Sequence, residues 1–263
     1  MITSTSNGKV KALVNLKKKR KARDEEKVFL VEGIRMFREV PLKQLKEVYV
    51  SETFYKKEKK TVDTIVAGSC AKMEILADNI FTHVSDTMTP QGVLCVVEQM
   101  KYTLKDVLGN AEVPHLMVLD NLQDPGNLGT IVRTAEGAGV TGIIMSKETV
   151  DIYNPKVIRS TMGSIYRMPF YYAPDLLETI GELKAAGIST YAAHLDGKHA
   201  YDEEDYKKPC AFFIGNEGNG LRDEIADAAD TYIRIPMYGE VESLNAAIAA
   251  TVLMFEAARQ RRK

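Results

Sequence analysis

Short apolar runs separated by amphipathic stretches fill the second half of the chain. Runs at 115–120, 142–145, 165–170, 188–193, 211–214 and 232–235 are four to six residues long, the length of buried strands. The stretches between them carry apolar residues at helical spacing. Leu128, Ile131, Val132, Ala135 and Ala138 make one stripe, with Thr130, Arg133 and Thr134 off it. Helices are also predicted over 154–161 and 174–186, and in a long terminal segment where Leu244, Ile248, Val252 and Phe255 share a face among small alanines. Strands alternating with helices predict an α/β fold with a mostly parallel sheet.

The first half reads as a smaller α/β module. An apolar stretch at 29–33 leads into a helix over 34–40 that Pro41 ends. A strand at 48–50, a charged helix over 52–60, a strand at 64–67 and a helix from Ser69 to Ala77 follow. Thr89-Pro90-Gln91-Gly92 then makes a turn before a strand at 93–97. The polar segment 100–113, with Gly109-Asn110, is the best boundary between the two halves.

Composition narrows the class. With 263 residues, 45% hydrophobic and 27% charged, the chain suits one large or two modest domains with a real core. No apolar run approaches the roughly 18 residues of a membrane span. The cysteines Cys70, Cys95 and Cys210 are scattered and lack metal-ligand spacing, so a reducing cytoplasm is the expected home. The net charge of −1 hides an asymmetry: from Lys9 to Arg23 there are eight basic residues and no acid. Such an arm attracts a polyanion such as RNA, and it is equally readable as a solvated terminus.

Two loops concentrate the candidate chemistry. The predicted strand at 211–214 runs into Gly215-Asn216-Glu217-Gly218-Asn219-Gly220, where glycines let a ligand approach the backbone. The strand at 232–235 stops at Pro236, and a second loop leads to Ser243, a predicted N-cap of the terminal helix. Loops beyond the carboxyl ends of strands are where open α/β sheets bind ligands. The glycine spacing is G-x-x-G-x-G, which argues against a dinucleotide fingerprint and so against a dehydrogenase. Further upstream, Asp124-Pro125 supplies a cap and a proline at the first helical position. No His, Cys or Asp cluster has metal-ligand spacing, so no metal is expected.

Three segments, DNLQDPGNLGTIVRTAEGAG, IGNEGNGL and IRIPMYGEVESLNAAIAA, resemble in order the three motifs of the SpoU/TrmH-type (SPOUT superfamily) RNA 2′-O-ribose methyltransferases. VEGIRMF with SDTMTPQGVLCVVE is similar to the ribosomal-protein-like substrate-binding domain that precedes the catalytic domain in many relatives. The resemblance implies a basic arm over 1–24, an RNA substrate-binding domain over 25–105 and a trefoil-knotted methyltransferase domain over 112–263, paired as a homodimer. It implies S-adenosylmethionine as cofactor, held by Ile214, Gly215, Asn216, Gly218, Gly220, Ile235, Met237, Ser243 and Leu244. It places Asn127, Arg133, Glu217, Ser243 and Asn245 at catalytic positions. Arg133 suits a cation that steadies phosphate and developing alkoxide better than a literal base, because guanidinium stays protonated. Asn127 is open to a helix-capping role or direct contact, and Glu217 to fixing the glycine loop or lying near the nucleophile. Ribosomal RNA is the expected substrate, with tRNA second and a non-catalytic RNA-binding relative as the other reading.

Overall fold

The computed structural model describes residues 1–109 and 111–262. Asn110 of the predicted connection and Lys263 at the end of the predicted second domain lie outside the described residues. The chain divides into two units, Met1–Met100 with Asp151–Tyr166, and Lys101–Val150 with Arg167–Lys263.

The first unit begins with α1 (Gly8–Lys18) and α2 (Arg20–Glu26). The basic arm is therefore helical, and Val10, Leu13 and Leu16 bury one face of α1 against Leu30, Tyr49, Leu76 and Phe81. Arg23 is only 3% exposed and is held by Asp151 at 2.5 Å and by the carbonyl of Leu16 at 2.7 Å. Next come β1 (Val28–Glu32), α3 (Ile34–Glu39), β2 (Leu45–Ser51), α4 (Glu52–Ala67), β3 (Lys72–Leu76), α5 (Asp78–Val84) and β4 (Val93–Glu98). The four strands form one sheet in the order β1-β4-β2-β3, parallel only between β2 and β3.

Two predicted elements exchange places here. Residues 64–67 are the last turn of α4, where Gly68 N–H and the Thr64 hydroxyl donate to the carbonyls of Thr64 and Lys60. The helical ladder already under way overrides the β-branched character of Thr64, Ile65 and Val66. The predicted helix after Ser69 is instead β3, drawn into the sheet by its pairing with β2.

The second unit opens with α6 (Leu104–Leu108), β5 (His115–Leu119), α7 (Pro125–Gly137) and β6 (Gly142–Ser146). The segment Asp151–Tyr166, carrying α8 (Pro155–Thr161), belongs to the first unit. The chain resumes in the second unit with β7 (Phe170–Ala173), α9 (Leu176–Ala185), β8 (Ser189–Ala193), β9 (His199–Ala200), β10 (Cys210–Ile214), α10 (Asp223–Asp227), β11 (Thr231–Arg234) and α11 (Ala246–Arg261). The strand expected at 165–170 is a 3-10 turn at Ser164–Tyr166, and pairing with β6 begins only at Phe170.

Seven strands make a sheet in the order β7-β6-β5-β10-β8-β11-β9, every neighbouring pair parallel. β5, β6 and β10 are buried along their whole length, which is why they read as unbroken apolar runs. On α7 the predicted stripe is the packed face, with Leu128, Ile131, Val132 and Ala135 fully buried. The terminal helix turns the other way. Ala247, Ala250, Leu253, Met254 and Ala257 are buried, while Ile248 and Phe255 are 50% and 45% exposed. α11 lies against α7 and β10, and small residues let the backbones come close.

Candidate functional site

Strands β5, β6 and β7 step outward in one direction, whereas β10 sits on the other flank of β5. The carboxyl ends of β5 and β10 therefore flank a topological switch point, the usual ligand position in such sheets. The two strand ends are tied together where Asp120 N–H donates to the carbonyl of Ile214 at 2.9 Å.

The loop after β10 folds back on itself. Asn216 N–H donates to Gly220 O at 2.8 Å and Gly220 N–H returns to Asn216 O at 2.9 Å. Gly220 has φ +70, a conformation natural to glycine. At Gly215 a Cβ would lie 2.1 Å from the backbone of Gly220 and Leu221, so only glycine permits this closure. The Asn216 side chain fills the turn, accepting from the N–H groups of Gly218 and Asn219 and donating to Asn121 O at 2.9 Å.

Glu217 projects from this loop to the start of α7. Its Oε1 accepts from Asp124 N–H at 2.8 Å and from the Asn127 amide at 3.0 Å, and its Oε2 accepts from Gln123 N–H at 3.0 Å. Partial burial alone would raise the Glu217 pKa, but the Asn127 amide and the backbone N–H groups outweigh it and hold the carboxyl below its ordinary value. Glu217 thus fixes the β5–α7 loop at least as much as its own. Asp124 caps α7 by accepting from Asn127 N–H at 2.8 Å, so Asn127 is the third residue of the helix and its side chain is free for other work.

That work joins the third segment. Asn245 donates through Nδ2 to Asn127 Oδ1 at 3.0 Å, while its own Oδ1 accepts from the N–H groups of Ala247 and Ile248. Asn245, not Ser243, is therefore the N-cap of α11. Ser243 lies two residues before the cap, exposed and without a hydrogen bond among the described residues, because the helix starts later than its sequence suggests. A relay Asn245–Asn127–Glu217 links the turn before α11, the start of α7 and the glycine loop.

Of the remaining candidates, Ile214 is buried at the end of β10, and Gly218 and Gly220 are exposed. Ile235, Met237 and Leu244 are half-buried around the loop that follows β11. Arg133 is exposed on α7, off the packed stripe and about 9 Å further along the axis than Asn127, with no ion pair among the described residues. Asp120 and Arg222 are a pair that sequence reasoning missed. Asp120 is fully buried and accepts from Arg222 Nη2 at 2.7 Å and from Arg222 N–H at 3.1 Å, locking the far end of the glycine loop. An acid ending an all-apolar strand was the signal, since a buried carboxylate needs a partner.

The backbone of residues 235–244 makes no hydrogen bond among the described residues. A Cβ on Gly220 or on Gly239 would meet nothing within 4 Å. Free N–H and carbonyl groups beside half-buried Ile235, Met237 and Leu244 fit a ligand with a flat heteroaromatic ring and a polar edge, as in S-adenosylmethionine. A cleft of about 560 Å³ in the first unit, lined by Phe54, Lys57 and Gln91 among others, contains no residue of the three methyltransferase motifs.

A wholly parallel sheet with converging polar loops at its switch point defines an α/β protein that works on a ligand beyond its strand ends. Comparison with known proteins makes the assignment particular. The sequence profile of the SpoU rRNA methylase family matches residues 114–255, and that of the MRM3-like substrate binding domain matches residues 7–95. The 23S rRNA (guanosine(2553)-2′-O)-methyltransferase RlmP of Bacillus subtilis is 33% identical over 255 residues, 97% of each chain. The crystal structure of an AdoMet-bound rRNA methyltransferase from Sinorhizobium meliloti superposes with TM-score 0.88 at 33% identity, covering 98% of this chain and 97% of that one. The SpoU methyltransferase AviRb from Streptomyces viridochromogenes, in complex with AdoMet, gives 0.87 at 27% identity, covering 97% and 98%. The chain belongs to the SpoU rRNA methylase family.

Proposed function

We propose that this chain methylates a ribose 2′-hydroxyl in ribosomal RNA, with S-adenosylmethionine as the donor. The observation that carries the reading is the Asn245–Asn127–Glu217 relay, which draws all three resembling segments to one place. The relatives named for rRNA methylation span nearly the whole chain, and one of their structures, like that of the SpoU methyltransferase AviRb, holds AdoMet. When bound, the cofactor supplies an electrophilic methyl group on a sulfonium.

The protein's own residues do the rest. The backbone of 214–220 and 235–244, with Ile235, Met237 and Leu244, holds the donor. Asn127, Asn245 and Glu217 keep the loops in register, and Ser243 is free to meet the ligand. Arg133 grips the nucleotide's phosphate and lowers the cost of negative charge on the 2′-oxygen. Residues 1–24 and 25–105 bind RNA, and 112–263 is the knotted catalytic domain. The apolar side chains Ile248 and Phe255, left exposed on α11, suit pairing with a second copy. A cytoplasmic location follows from the substrate, and among the described residues no helix is long and apolar enough to cross a membrane.

Mapping ribose methylation in ribosomal RNA and tRNA from cells with and without the protein tests this. One ribosomal 2′-O-methyl group should vanish with the gene. Loss of a tRNA site instead would replace the substrate, and no loss anywhere would overturn the enzymatic reading.

A further inference from the structure

We propose that the groove between α1 and the end of α5 is a docking site for the sugar-phosphate backbone of RNA. The inference rests on the reading of the substrate as RNA and assigns one place where that RNA is held outside the methyl-transfer site.

The groove has a volume of about 270 Å³, and Lys11, Asn15, Lys18, Lys19 and His83 are among its lining residues. It arises from the periodicity of α1. Val10, Leu13 and Leu16 face the core, so Lys11, Asn15 and Lys18, at positions i, i+4 and i+7, form an exposed ridge beside it. Lys17 holds the two helices together. Its Nζ donates to the carbonyl oxygens of Ser85 at 2.8 Å and His83 at 3.4 Å, pinning α1 to the C-terminal turn of α5. Val14 adds an apolar surface against which a ribose can rest.

Charge identifies the occupant. Other cations of the same unit are matched by carboxylates: Lys9 with Glu74, Lys46 with Glu98 and Lys56 with Glu52. Lys11, Lys18 and Lys19 have no carboxylate within ion-pair distance among the described residues. Unneutralised cations lining a groove, in a stretch of 23 residues without one acid, concentrate a positive potential that favours a polyanion. Lys11 and Lys18 are about 10 Å apart along the helix axis. That length matches about three steps of a stacked strand at roughly 3.4 Å each. The Asn15 amide and the His83 ring offer polar groups for the phosphate oxygens between those lysines.

The test uses the full chain and a fluorescein-labelled 12-nucleotide oligouridylate, with affinity measured by anisotropy from 50 to 300 mM salt. The triple variant Lys11→Gln, Lys18→Gln, Lys19→Gln should bind about tenfold or more weakly at the lowest salt. Its log–log salt slope should be shallower by about 2, from three lost contacts at about 0.7 each. Asn15→Glu, a single exposed change that puts a carboxylate on the ridge, should weaken binding in the same direction. Calorimetry with S-adenosylmethionine should be unaffected by either variant. An unchanged slope and affinity in both variants overturns the groove. So does a variant that loses affinity for a polyglutamate peptide while keeping that for the oligonucleotide, since the occupant is then an acidic protein. The two readings separate cleanly. A wild-type protein with a groove-dependent slope but no methyl transfer refutes the enzymatic proposal alone, and methyl transfer with an unaltered KM for RNA in the triple variant refutes the groove alone.

Discussion

Replacing Glu217 by glutamine tests whether its carboxylate organises the site. The carboxylate accepts three hydrogen bonds, from Gln123 N–H at 3.0 Å, Asp124 N–H at 2.8 Å and the Asn127 amide at 3.0 Å. Glutamine keeps the shape but turns one terminal oxygen into a donor. Placed at the Oε2 position, the new NH2 faces the N–H of Gln123; placed at Oε1, it faces two donors. The better arrangement loses one bond outright and removes the charge from the other two. A hydrogen bond to a charged group contributes about 1.5–3 kcal/mol and a neutral one about 0.5–1.5, so the gross loss is about 3.5–6 kcal/mol. Glu217 is exposed, and water takes up the released N–H and screens the charge, which brings the net to about 1–2 kcal/mol.

Since about 1.4 kcal/mol is a tenfold change in rate, initial rates of radiolabelled methyl incorporation into ribosomal RNA should fall roughly tenfold. The melting temperature should fall by only a few degrees, because the bonds lost are in surface loops. The effect also has a pH signature. The Glu217 pKa is lowered in the folded protein, so its contribution is complete above the unfolded carboxylate value and is lost as pH falls through the depressed folded value. The difference between wild type and Glu217→Gln is therefore full at neutral pH and closes in acid. Equal rates for the two folded proteins at pH 7 would refute the argument that this carboxylate holds the loops.

Four further substitutions probe the other contacts. Asn245→Ala removes the α11 cap and the bond to Asn127, and should cost about 1–2 kcal/mol in chemical denaturation, whereas Ser243→Ala, at a position that caps nothing, should stay within about 0.5 kcal/mol. Arg222→Ala strands the fully buried Asp120 with the Arg222 N–H as its remaining partner, and should destabilise by about 3 kcal/mol in the same titration. Arg133→Ala should abolish methyl incorporation while leaving cofactor affinity by calorimetry nearly unchanged; equal loss of both would make Arg133 a cofactor ligand.

What the sequence revealed of the fold follows from which forces are local. β5 and β10 are buried on both faces, so no polar residue interrupts their apolar runs and a short window suffices to find them. The stripe on α7 was legible for a different reason: the helix packs on one side only, so its apolar residues recur at helical spacing. In α1 the core positions Val10, Leu13 and Leu16 were hidden by the density of lysines around them, although their spacing is helical. The exchange of strand and helix over 64–77 shows the limit more sharply: Thr64, Ile65 and Val66 prefer strands, yet a helix already running through Val62 costs less to extend than to stop.

The site was legible as three motifs, but its connections were not, because each joins residues far apart in the chain. Asp120 and Arg222 are separated by 102 positions and Asn127 and Asn245 by 118, so no local pattern links them. The terminal helix carries the same lesson about faces. Its large apolar side chains mark a stripe as clear as the one on α7, but the face of α11 turned inward is a different one, with Ala247, Ala250 and Ala257 beside Leu253 and Met254. Periodicity identifies an apolar face without saying whether its partner lies in the same chain. On α7 the face is filled from within. On α11 the buried face takes alanines with Leu253 and Met254 and leaves Ile248 and Phe255 on the surface, where covering them with a second copy removes apolar area from water.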